Sequence, residues 1–117
     1  MGLSTHVLDT MHGCPAAGMQ VSLFATGAGG KADLMRQFML NADGRPEDPL
    51  IATSDLQRGT YRLVFEVAAY FAARGVELPS PNFLDRVTLD FGVADTTQHY
   101  HVPLLVSPWS YSTYRGS

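Results

Sequence analysis

The chain is 117 residues long, 45% hydrophobic and only 16% charged, which fits one packed domain over residues 1–117 and excludes a disordered chain. Its net charge is -3 with no run of Lys or Arg, so a phosphate backbone has nothing to track and nucleic acid is excluded as a partner. A single cysteine, Cys14, rules out an intrachain disulfide framework. No segment reaches the roughly 18 apolar residues that span a bilayer, and no basic stretch leads into an apolar one, so a soluble, cytoplasmic chain without a membrane partner is expected.

Period-two alternation runs through most of the sequence. In "STHVLDT", Ser4, His6 and Leu8 share one side and Thr5, Val7 and Asp9 the other, as in a strand. "GCPAAG" then reads as a turn, and "MQVSLFAT" as a second strand. "GAGGKAD" is a loop. "DLMRQFMLNADGR" reads as a third strand ending at Asn41 to Gly44, a hairpin-type Asp-Gly turn that delivers Arg45 to the next segment. "GTYRLVFEV" puts Tyr61, Leu63, Phe65 and Val67 on one face. The alanine-rich stretch from Ala68 to Arg74 predicts a short helix that stops at Gly75. "RVTLDFGV" alternates again, "HYHVPLL" follows, and the alternation continues through "PWSYSTY" into a last strand. Short strands at turn-separated intervals with one brief helix predict an all-β sandwich.

Some apparent motifs carry no chemistry. "TGAGGKA" lacks both the first glycine and the hydroxyl residue of a phosphate-binding loop. Cys14, close to His12, superficially pairs a nucleophile with a base, but near neighbours on a turn rarely face one another, and a plain turn cysteine is the better reading. The other histidines are more informative. His99 and His101 are two apart on a strand, so both leave the same face with Pro103, while Tyr100, Val102 and Leu104 turn inward. His6 also looks outward, away from Val7. Each is read either as a solvated surface histidine or as an imidazole suited to moving protons near neutral pH. A zinc site built on the histidine cluster is a further alternative, without a Cys or carboxylate nearby in sequence to complete it. Arg45 is read as a solvated loop arginine or as a planar fork for an anionic or carbonyl-rich ligand.

Taken together, "LSTHVLDT", "GCPA", "NADGR", "GTYRLVFEV" running into the helix, "HYHVPLL" and "SPWSYSTYRGS" resemble the transthyretin-related 5-hydroxyisourate hydrolases nearly end to end, with the terminal YRGS as the sharpest marker. The resemblance implies a transthyretin-like β-sandwich of two four-stranded sheets with one short α-helix. It implies a homotetramer with sites at the dimer–dimer interface. It also implies hydrolysis of 5-hydroxyisourate to 2-oxo-4-hydroxy-4-carboxy-5-ureidoimidazoline in urate degradation, without metal or organic cofactor. The family's catalytic positions fall on His6, Arg45 and His101, and its C-terminal substrate-binding tyrosine and serine on Tyr114 and Ser117, with His6 and Arg45 also contacting substrate. In transthyretin itself the histidine and arginine positions hold other residues, which favours the enzyme branch. The competing expectation is a transthyretin-like carrier that binds a small ligand in the same channel without turnover.

Overall fold

A computed structural model describes residues 2–116. The elements in chain order are β1 (Leu3–Asp9), β2 (Cys14–Pro15), β3 (Gln20–Thr26), β4 (Ala32–Met39), β5 (Gly59–Phe65), α1 (Val67–Ala73), β6 (Val87–Val93), β7 (Tyr100–Val106) and β8 (Tyr111–Thr113). They build two four-stranded sheets in the orders β2-β1-β7-β8 and β4-β3-β5-β6. The expected all-β sandwich with one short helix is therefore what the chain forms.

Alternation decides which side chains fill the space between the sheets. Leu3, Thr5, Val7 and Asp9 of β1 are buried while Ser4, His6 and Leu8 lie half-buried on the outer side. Tyr61, Leu63 and Phe65 of β5 and Tyr100, Val102, Leu104 and Val106 of β7 meet them in the core. Burying a side chain such as Leu63 or Phe65 contributes roughly 1.5–3 kcal/mol. A one-residue slip of β1 or β7 would exchange those side chains for histidines and serine, so the register is strongly held.

The helix closes as expected. Gly75, at φ 83°, donates its N–H to Ala72 and Val76 donates to Phe71, the paired bonds that satisfy the last carbonyls of a helix ended by a left-handed glycine. No helix is long and apolar enough to cross a membrane among the described residues.

Two local expectations are amended. "GCPAAG" is not only a turn. Gly13, at φ 70°, makes the reversal, after which Cys14 and Pro15 fold back antiparallel to Asp9 and Leu8 as β2, an edge strand where a residue without an N–H is tolerated. The Asp-Gly turn does form, with Asn41 Oδ1 accepting from the N–H groups of Asp43 and Arg45, but it does not hand β4 to a hairpin partner. It crosses to the other sheet, where the Gly44 carbonyl accepts from Val7 N–H at 2.9 Å.

Candidate active site

The parallel pairing of β1 with β7 brings distant parts of the chain side by side. Ser4 lies opposite His101 and His6 opposite Pro103, so the outward residues of both strands share one face. On the other edge of β1, the segment after the Asp-Gly turn runs alongside and bonds through Ile51 and Leu50 to Leu3. Gly44 fixes where that segment starts. It takes φ 73°, and a Cβ there would stand 2.5 Å from the Val7 carbonyl oxygen, so only glycine lets the turn sit against β1. Arg45, the next residue, thereby reaches His6, with Nη2 3.5 Å from Nδ1.

The cluster continues along β7. Ser4 Oγ is 2.8 Å from His101 Nδ1 and 3.3 Å from His99 Nε2, and the two imidazoles stack with centroids 6.4 Å apart. A cleft of about 360 Å³ opens over them, walled by Ser4, Thr5, His99 and His101 on one side and by the loop from Arg45 to Pro49 on the other. That volume suits one small ring compound. Burial, and then the Arg45 charge, lower the His6 pKa below its ordinary 6.5, against a smaller upward pull from Asp43. His101 is lowered too, by burial first and then by Arg45, His6 and His99. Two imidazoles whose neutral form is favoured, beside a permanent cation, can exchange protons with a ligand and stabilise negative charge growing on it.

The end of the chain closes over this face. Gly116 N–H donates to the His101 carbonyl at 2.8 Å, and a Cβ on Gly116 would come within 2.8 Å of His101 Cδ2. His6, Arg45 and His101, singled out from the sequence, are thus neighbours. Tyr114 is not joined to them by any hydrogen bond among the described residues. It is exposed and lines a separate cleft with Leu89, Phe91, Tyr100 and Val102. Ser117 lies outside the described residues. His12 pairs with Asp9, Nδ1 to Oδ2 2.6 Å, leaving Cys14 to an Arg74 contact at 3.7 Å; no catalytic pair forms there. Among the described residues no group of three or more His, Cys, Asp or Glu is placed to hold a metal ion. Sequence reasoning missed Ser4, whose only signal was its parity with His6, and Glu47 and Asp48, which sit on the cleft wall.

Comparison with known proteins bears on the family and the fold. A model of the HIUase/Transthyretin family matches residues 3–116. The chain is 54% identical over 115 residues to a 5-hydroxyisourate hydrolase of Ralstonia nicotianae, covering 98% of this chain and 97% of that one. The structure of Klebsiella pneumoniae 5-hydroxyisourate hydrolase superposes with a TM-score of 0.79 at 37% identity, covering 100% of each chain. A sea bream transthyretin structure shares the fold, with a TM-score of 0.86 at 24% identity, covering 99% of this chain and 95% of that one.

Proposed function

The chain belongs to the HIUase/Transthyretin family, and on that premise we propose that it hydrolyses 5-hydroxyisourate to 2-oxo-4-hydroxy-4-carboxy-5-ureidoimidazoline in urate degradation. The observation that carries the reading is the meeting of His6, Arg45 and His101 on one cleft-bearing face. Transthyretins share the sandwich, so fold alone does not separate enzyme from carrier.

In the proposed reaction a water molecule attacks the lactam carbonyl carbon of the substrate ring. One histidine takes the water's proton as the C–O bond forms. Arg45 holds the carbonyl or anionic edge and offsets the charge growing on the carbonyl oxygen. When the tetrahedral carbon collapses, the ring C–N bond breaks and the departing nitrogen takes the proton back from the imidazolium. Direct attack by water is preferred to an acyl-enzyme because no Ser or Cys sits in a nucleophile motif. No metal or organic cofactor takes part.

The cleft faces outward from a single chain, so water is best excluded by another copy. We assign the working form to a homotetramer whose sites lie where two dimers meet. β6 and β8 are the end strands of their sheets, and residues of both line one cleft, so a second copy can extend both sheets at that side. Tyr114 and Ser117 would then complete the substrate pocket within the assembly.

The test couples urate oxidase and urate to the protein and follows the decay of hydroxyisourate absorbance. Accelerated decay, insensitive to chelator, is expected. Binding of a small aromatic ligand with decay unchanged would identify a carrier, and activity that vanished with chelator and returned with metal would identify a metallohydrolase.

A further inference from the structure

Ser4 sits between two imidazoles, and a hydroxyl has one proton to give. With both rings neutral, its contacts can be satisfied in two ways. Ser4 donates to His101 Nδ1 and accepts from His99 Nε2–H, or it accepts from His101 Nδ1–H and donates to His99 Nε2. The far nitrogen of His99 decides between them. His99 Nδ1 is buried and has no hydrogen-bond partner among the described residues. In the first arrangement it is a bare lone pair. In the second it must carry the ring's proton, as a buried N–H with nothing to accept it, and orphaned buried donors are the rarer and costlier defect. The 2.8 Å contact to His101 is the closer of the two and the 3.3 Å contact to His99 the weaker.

We propose that His99 and Ser4 form a one-way hydrogen-bond chain that holds His101 with its proton on Nε2, making His101 a donor to the developing oxyanion. This rests on the hydrolase reading above. The bond made by one ring nitrogen sets the state of the other, so fixing Nδ1 as an acceptor leaves Nε2–H as the group His101 offers a ligand. His101 Nε2–H donates a hydrogen bond throughout and ends as it began, so it does not carry the proton of the attacking water. Ser4 and His99 touch no reacting atom; they are positioning residues.

The test is ring-nitrogen NMR of the intact protein labelled with ¹⁵N-histidine, held at a pH where the rings are neutral. His101 and His99 should both show the proton on Nε2. Ser4→Ala should give a mixture of His101 tautomers and lower kcat about tenfold, the worth of one hydrogen bond, with KM changed by less than about twofold. Ser4→Thr, which keeps the hydroxyl, should restore the native tautomer. His99→Phe preserves the stacked ring but removes the donor, and should loosen the tautomer in the same way if the Ser4 variant is poorly folded. A native His101 protonated on Nδ1, or variants at Ser4 and His99 with the native spectrum and native kcat, would overturn the chain. Absence of hydroxyisourate turnover by the native protein would overturn the role given to His101 along with the hydrolase reading, whereas the spectra judge the chain without any substrate.

Discussion

At the scale of single residues, protonation is the quantity that the site controls. Burial and the Arg45 cation both disfavour the imidazolium at His6 and His101, so both rings give up their proton more readily than an ordinary histidine of pKa 6.5. The acid limb of kcat/KM should accordingly fall below that value, and a limb at or above it would contradict this electrostatic picture. Stability follows the same sign. As the pH drops through 6.5 the unfolded chain binds protons at these positions before the folded one does, so folding weakens. Replacing His6, Arg45 or His101 by alanine should each lower turnover by about 10²- to 10⁴-fold with the assembly intact, measured by the absorbance assay beside sedimentation. Gly116→Ala should also cut activity, because its methyl group would press on the His101 ring; circular dichroism should show the sheets retained. Strand parity gave the outward direction of His6 and His101 from sequence alone. Their approach to Arg45 was suggested only by family resemblance, since a contact across 39 residues leaves no mark on local spacing. Ser4 went unnoticed because a lone hydroxyl on a strand matches no motif.

Between elements, one buried carboxylate ties the turn after β1 to α1. Asp9 is fully buried, and accepts from the His12 backbone N–H at 2.9 Å, from the Tyr70 hydroxyl at 2.8 Å and from the His12 ring. Burial alone would raise its pKa, but these bonds outweigh it and bring it below the usual 3.8. Burial, and then the bond to Asp9, push the Tyr70 phenol well above its ordinary range. Tyr70→Phe removes one of Asp9's donors and should cost about 1–3 kcal/mol in urea unfolding, with kcat near native because the site is elsewhere. Asp9's contribution is present above the unfolded carboxyl value of 3.8 and is lost as the pH falls through the lower folded one. Gly44→Ala combines a strained φ with a backbone collision; it should destabilise by about 1–3 kcal/mol or more and displace Arg45, so both the melting temperature and kcat should fall. Turn chemistry in "NADGR" was legible because Asn, Asp and Gly act locally. Where that turn docks was not, since the answer lies in the Val7 N–H on another sheet.

The whole molecule is an open sandwich whose candidate site looks outward, and this sets the expectation for assembly. If the proposed tetramer forms the site, specific activity should drop on dilution in step with its loss seen by sedimentation; activity unchanged in a monomer would remove the case for an inter-dimer site. Deleting residues 114–117 should harm turnover more than thermal stability, because β8 ends at Thr113. The sandwich itself was readable from the number and spacing of alternating strands. Which strands neighbour each other was not, since alternation carries no information about partners.

The β1–β7 pair joins Ser4 to His101 across 97 residues. Closing so large a loop is entropically slow, so during refolding catalytic power should return only with the last, global phase, and no truncated chain lacking either strand should hold a partial site. On the same argument, a nascent polypeptide on the ribosome should lack a complete site until β7 has left the exit tunnel and found β1.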